Sequence, residues 1–287
     1  MPMPGGAWRT ARGSLPLDRP RILGILNVTP DSFWDQGRHA GVAAALDRAE
    51  RILAEGGDVI DVGGESTRPG ATPVDAAVEI ERVVPVIREI LRRWPDALVS
   101  VDTVKASVAR AALDAGAAIV NDVSGLRLDP AMATTVARAG AGLVLMHSRG
   151  DVSRMARYDT AAYGPDPVGE MVDELGAMLE RARDAGVTDD AVVLDPGLGF
   201  SKRTEQSVAA LAHLDRFLAL GRPVLLGPSR KRFIGELSGG LPAEERLEGT
   251  LAACVVGLLR GARIFRVHDV RAARRALDVA EAVRTAP

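Results

Sequence analysis

From residue 21 onward the sequence alternates eight times between a short β-branched run and a longer amphipathic stretch, a rhythm that leaves few folds open. The short runs are "RILGILNV", "DVIDVGG", "LVSVDT", "AIVNDVSG", "GLVLMHS", "AVVLDPG", "PVLLGPS" and "RIFRVHDV". Each suits a strand buried on both faces. Between them stand "GVAAALDRAERILAEGG", "DAAVEIERVVPVIREILRRWP", "KASVARAALDAG", "AMATTVARAG" and "VGEMVDELGAMLERARDAG", several of which end in glycine as helices commonly do. Three more helical patterns follow the sixth, seventh and eighth runs. Eight β-to-α units over about 265 residues fit a single-domain α/β fold, the (β/α)8 TIM barrel; a doubly wound sheet more often stops at five or six strands. No linker divides the chain. Residues 1–20 read as a flexible N-terminal tail and residues 21–287 as the barrel domain, with its longest loops after the first, second and fifth runs.

With 47% hydrophobic and 26% charged residues, the composition is that of an ordinary soluble globular protein. A net charge of -2 and a pI near 6.1 supply no electrostatic reason for nucleic acid or an anionic membrane as partner, so a small molecule is expected. The sole cysteine, Cys254, has no intramolecular partner for a disulfide, which suits a reducing cytoplasm. It lies in "LAACVVGLL", too short to cross a bilayer and best read as buried helix. The opening "MPMPGGAWRTARGSLPLDRP" contains no continuous apolar stretch of the signal-peptide kind, and Trp8 is expected to pack back onto the domain.

In a TIM barrel the active site forms at the C-terminal ends of the strands. Those ends carry Asn27, Asp61 with Thr67 and Arg68, Asp102, Asn121 with Asp122, His147, Asp195, Ser229 with Lys231, and Arg266 with His268 and Asp269. Any one of these, Asp102 or Asp122 for example, can be a helix cap or part of a core network. All eight ends being polar together is better explained by a pocket that pairs them with a ligand, because each unpaired buried polar group costs about a few kcal/mol. Asp102, Asn121 and Asp195 suit the edge of a flat heterocycle with amino and ring N–H donors. Lys231, Arg266, His268, Arg68 and Asn27, with Ser66 or Thr67, suit an anion such as pyrophosphate.

The stretches "ILNVTPDSF", "DVGGESTRPG", "SVDT", "NDVSG", "LMH" followed by "RG", "DPGLGFSK", "GPSRKRFIG" and "RVHDV" resemble, in order, the dihydropteroate synthase family of pterin-binding barrels. Its members join a pterin pyrophosphate to p-aminobenzoate in folate biosynthesis. The resemblance implies that Asp102, Asn121 and Asp195 bind the pterin edge, with Lys231 at the ring and Met146, Phe200 and Gly227 around it. It assigns Asn27 to a Mg²⁺ cofactor and to pyrophosphate, and Thr67, Arg68, Arg266 and His268 to the pyrophosphate as well. Phe33, Thr67, Pro69, Ser229 and Lys231 are expected around p-aminobenzoate, and Asp35 beside the reacting pterin. Asp35, Asp102, Lys231, Arg266 and His268 carry the catalytic expectation. A homodimer is implied too, with "GTLAACVVGLLRG" either in its interface or wholly within the barrel.

The match is not complete: "SFWDQGR" brings in Trp34 and Gln36, Ser148 stands where methionine is common, and Ser201 replaces a glycine. These departures bear on loop closure more than on substrate identity. Pterin-binding methyltransferases share the carboxylates and amides, but "SRK", "RVHDV" and "ESTRPG" favour the synthase; a non-catalytic pterin-binding paralogue stays open on the altered first loop. His147 is read as a structural hydrogen-bonding residue, His39 and His213 as solvated positions in a loop and a helix.

Overall fold

The eight β-branched runs set the architecture of the computed structural model, which describes residues 6–29, 38–66 and 73–286, with backbone alone at 38–40. Eight parallel strands run in sequence order around a barrel: β3 Arg21–Asn27, β4 Val59–Gly63, β5 Leu98–Asp102, β6 Ile119–Asp122, β7 Gly142–Met146, β8 Val192–Asp195, β9 Leu225–Leu226 and β10 Ile264–Val267. β10 pairs with β3, and the last seam, between β8 and β9, is closed by a bridge from Leu194 to Val224. The TIM barrel is therefore the observed fold. β9 is the shortest strand because Gly227 and Pro228 follow it, and proline brings no N–H to the ladder.

Helices fill the outside: α1 Arg38–Ala54, α2 Ala76–Arg93, α3 Ala106–Asp114, α4 Met132–Ala139, α5 Pro167–Asp184, α6 Thr204–Ala212, α7 Leu214–Leu218, α8 Arg232–Leu237, α9 Leu247–Leu259 and α10 Val270–Thr285. Outward-facing strand residues such as Ile60, Val62, Val99, Val101, Leu143 and Phe265 join their apolar faces in one large core. Cys254 belongs to that core on α9, and burial pushes its thiol up to about 12. Among the described residues no helix is long and apolar enough to cross a membrane. α1 begins at Arg38, so His39, expected in a loop, falls in its first turn; the helix starts ahead of the apolar stripe that marked it in sequence. His213 is exposed at the junction of α6 and α7.

Inside the barrel, Leu23, Val59, Ile119, Val144, Val193, Leu225 and Ile264 form an apolar floor. Side chains two residues further along a strand return to the same face. That step carries the interior from Ile119 to Asn121, Val144 to Met146, Val193 to Asp195 and Ile264 to Arg266. The same chemistry that gives each strand a hydrophobic start gives the barrel a polar upper rim.

The segment expected as a loose tail is a two-stranded antiparallel hairpin, β1 Ala7–Thr10 and β2 Gly13–Pro16. Trp8, Leu15 and Leu17 are buried in the floor of the barrel, and the Trp8 indole Nε1 donates to the Ala191 carbonyl at 2.8 Å. Burial alternates along β1, so the apolar face never appears as a run in the sequence. Trp8 does pack back, as expected, and it does so as a plug for the barrel's lower end. Trp8→Ala is expected to lower the unfolding free energy by about 3–5 kcal/mol in a urea titration. A loss below about 1 kcal/mol would mean that the hairpin is not integral to the fold.

Candidate active site

Arg266, near the end of β10, reaches across β3 to two carboxylates on the next strands. Its Nε donates to Asp61 Oδ2 at 2.6 Å and its Nη2 to Asp102 Oδ2 at 2.6 Å. Asp61 is fully buried, and Asn121 Nδ2 donates to the same Oδ2 at 3.3 Å. The acid placed in the middle of "DVIDVGG" is thus the inward partner of an arginine. Burial raises the Asp102 pKa, which Arg266 opposes and Asp61 reinforces. Arg266 itself is raised because the two carboxylates outweigh its desolvation.

Beside this trio lies a cavity whose polar walls are Asn121, Asp195, Lys231 and Arg266. Its apolar walls are Val123, Met146, Leu198 and Phe200, with Gly197 and Gly227 supplying backbone. Asp195 Oδ1 accepts from Gly197 N–H at 2.7 Å; burial nevertheless pushes the carboxyl up to about 6. Lys231 Nζ stands 3.5 Å from the centre of the Phe200 ring, and burial, with Arg266 nearby, pulls its pKa down to about 7. A side chain on Gly197 would meet the His147 carbonyl oxygen at 2.0 Å, and its φ is +69°, so only glycine fits this wall.

Ser229 and His268 form a second polar pair at the rim. The Ser229 hydroxyl accepts from His268 N–H at 3.1 Å and stands 2.9 Å from His268 Nδ1; with the hydroxyl proton directed at Nδ1, the ring proton is on Nε2. Burial, with Arg266 and Arg230, pulls His268 down to about 3, so the imidazole is neutral at pH 7. Asn27, half-buried at the end of β3, registers with Gly63, which in turn registers with Asp102.

Of the expected residues, Asn121, Met146, Asp195, Phe200, Gly227, Lys231 and Arg266 come together around the cavity. Asp102 stands to one side of it, held by Arg266. Phe33, Asp35, Thr67, Arg68 and Pro69, like Trp34 and Gln36, lie outside the described residues. Arg230 of "SRK" turns away to a two-pronged ion pair with Asp269 at 2.7 and 3.0 Å. Asp122 holds its own turn, accepting from Ser124 and Leu126. Asp61 was visible as a charge in a β-branched strand, but its partner was not; Val123 and Leu198 carried no signal in the sequence.

The two buried departures are bonded into loops. Ser148 Oγ donates to the Val123 carbonyl at 2.7 Å. Ser201 adopts φ +50°, where glycine is usually favoured, and its Oγ accepts from Arg149 N–H at 2.8 Å while facing the Arg149 and Met155 carbonyls. Those bonds tie the loop after β8 to the loop after β7.

The pterin binding enzyme family matches residues 23–268. A dihydropteroate synthase of Mycobacterium leprae is 46% identical over 264 residues, covering 90% of this chain and 92% of that protein. The solved dihydropteroate synthase of Xanthomonas albilineans with 4-aminobenzoic acid superposes with a TM-score of 0.89 at 45% identity, covering 98% of this chain and all of that one. A Clostridium difficile dihydropteroate synthase solved in the presence of pteroic acid gives 0.86 at 41% identity, covering 93% and 97%.

Replacing Arg266 by methionine leaves Asp102 and Asp61 without their counter-ion and holds the Asp102 pKa higher still. The folded state then binds more protons than the unfolded state between the unfolded Asp pKa and that raised value, so stability falls as pH rises through this window. The expected slope is about 1.4 kcal/mol per pH unit for each retained proton. Burial already holds Asp102 at about 7 with Arg266 in place, so urea titrations of both proteins from pH 5 to 9 measure the difference: the wild-type fall is expected to level off above about 7 while the variant's continues, and identical profiles would show that Arg266 does not hold these acids.

Proposed function

The chain belongs to the pterin-binding enzyme family, among the dihydropteroate synthases, and from that premise we propose that it condenses 6-hydroxymethyl-7,8-dihydropterin pyrophosphate with p-aminobenzoate. The products are 7,8-dihydropteroate and pyrophosphate. The observation that carries this reading is the cavity itself, which brings the apolar Val123, Met146, Leu198 and Phe200 together with the polar Asn121, Asp195, Lys231 and Arg266.

In this reading Asp195 and Asn121 pair with the N–H and amino edge of the pterin, and Lys231 with a ring acceptor. The bond from the exocyclic carbon to the pyrophosphate oxygen breaks first, and the electron pair leaves with pyrophosphate. Arg266, the neutral donor His268 and Arg68 stabilise the departing anion. Asp61, Asp102 and Arg266 together sum to one net negative charge when both acids are ionised, which favours the pterin cation left behind. The aniline nitrogen of p-aminobenzoate then forms the new C–N bond and loses a proton. Phe33, Asp35, Thr67, Pro69 and Ser229 belong to this assignment as the residues around the second substrate and the reacting carbon. No enzyme nucleophile is needed.

Among the described residues no group of three or more His, Cys, Asp or Glu is arranged to hold a metal ion. The single amide oxygen of Asn27 fits a cation that keeps most of its waters and is bound largely through phosphate oxygens, as Mg²⁺ commonly is. Asn27 would hold it, and the ion would neutralise charge on the leaving pyrophosphate.

We also propose that a second copy of the chain covers α9 and α10, where Val256, Leu259, Val279 and Val283 are 41–70% exposed. Such residues are costly to leave in water together and suit a homodimer interface.

Purified protein with Mg²⁺ and p-aminobenzoate is expected to turn over the pterin substrate repeatedly, forming pyrophosphate and dihydropteroate, detected by mass, in equal amounts. Pterin binding without that product would overturn the assignment. Because Asp195 must give up its proton to accept from the ring, pterin affinity is expected to weaken as pH falls through about 6, by about tenfold per unit. Calorimetric titration from pH 5 to 8 measures this, and Asp195→Asn should bind weakly at every pH with that dependence reduced. Val279→Glu with Val283→Glu is expected to convert the dimer to a monomer in sedimentation; an unchanged mass would remove the proposed interface.

A further inference from the structure

Lys202 lies outside the cavity, yet its ammonium is bonded to the residue that follows β7 and to the loop after β8. The residue has no exposed surface. Its Nζ stands 2.8 Å from His147 Nδ1, 3.3 Å from the His147 carbonyl oxygen and 2.9 Å from the Phe200 carbonyl oxygen. Three acceptors match the three protons of an ammonium. His147 directly follows Met146 at the end of β7, and Phe200 lies in the loop after β8. Met146 and Phe200 are two of the cavity's apolar walls.

The connections continue on both sides. His147 N–H donates to the Asp195 carbonyl at 2.9 Å, and the Phe200 ring carries Lys231 Nζ on its face. On the far side of the imidazole, Nε2 is 3.0 Å from Glu174 Oε2 on α5. With Lys202 donating to Nδ1, the ring proton sits on Nε2 and donates to Glu174. Arg149 Nε donates in turn to Glu174 at 3.1 Å.

Space-filling alone does not account for this arrangement, because an apolar side chain of similar length would fill the site without desolvating a charge. Burial pulls Lys202 down to about 7; Asp195 and Glu174 favour its charged form, while Arg149 and Lys231 oppose it. His147 is pulled down to about 4 by burial and then by the Lys202 charge. A cation held at this energetic disadvantage does its work through the geometry of its bonds.

We propose that Lys202 is a positioning residue that, through His147 and the Phe200 carbonyl, holds the end of β7 and the loop after β8 at the spacing a flat pterin ring requires. The inference rests on the functional reading above, and it adds a group that touches neither substrate nor the reacting atoms.

The test uses the full chain carrying Lys202→Met, which keeps the length and removes the donors, and Lys202→Gln, which keeps an amide donor. Binding of 6-hydroxymethyl-7,8-dihydropterin pyrophosphate is measured by calorimetry, melting by circular dichroism, and the His147 titration by nitrogen NMR. K202M is expected to melt at or above the wild-type temperature, to weaken pterin binding about tenfold, and to leave the p-aminobenzoate KM within about twofold. K202Q is expected to recover part of the lost affinity, about threefold weaker than wild type. The His147 pKa should rise in K202M, a change that a space-filling role would not produce together with lost affinity. Wild-type affinity in K202M would overturn the inference; if K202M does not fold, wild-type affinity in K202Q would do so, and a weakened K202Q would support it. Wild-type protein that fails to bind the pterin would remove the functional reading and this inference with it.

Discussion

One guanidinium holds two buried carboxylates together at the top of the barrel, and the polar rim is organised around that contact. Arg266 bonds Asp61 and Asp102 at 2.6 Å each, from a strand separated from theirs by β3. Carboxylates in a barrel interior are tolerable only when compensated. With the arginine in place, Asp61 can also accept from Asn121, and the cation stands at the edge of the cavity it helps to line. With both acids ionised the trio carries one net negative charge, which suits a site proposed to pass through a cationic pterin.

The remainder of the barrel makes that rim affordable. Its floor is apolar, and Trp8 from the N-terminal hairpin seals the end away from the site. Large aliphatic side chains below and polar ones above come from the same strands, two residues apart. Stability and chemistry are thereby separated along the barrel axis rather than mixed in one layer.

Around the rim, three of the described residues other than glycine hold left-handed backbone: Leu126, Ser201 and Arg230. Each is over-determined by neighbours. Leu126 N–H is taken by Asp122, the Ser201 hydroxyl by Arg149 and Met155, and Arg230 by Thr250 and Asp269. Strain of this kind persists only where the surroundings enforce it, and here it lies in the loops that shape the cavity. Lys202 fits the same pattern, a group costly to bury that connects two walls.

Much of this was legible in the chain before any coordinates. Eight β-branched runs with polar ends, separated by amphipathic stretches, specify a barrel with a polar rim, because strand periodicity and burial are properties of short windows. Asn121, Asp195, Lys231 and Arg266 could be picked out as site residues for that reason. What local windows do not contain is pairing across the barrel. Only the folded arrangement joins Arg266 to Asp61, 205 positions away, and Lys202 to His147, 55 positions away, or turns Arg230 from the site to Asp269. The hairpin was hidden for the related reason that alternate burial gives no apolar run, so Trp8 declares its role only where the barrel supplies the Ala191 carbonyl. Composition and periodicity act on neighbours in sequence, whereas the choice of partner for a buried charge is made by the closure of the barrel.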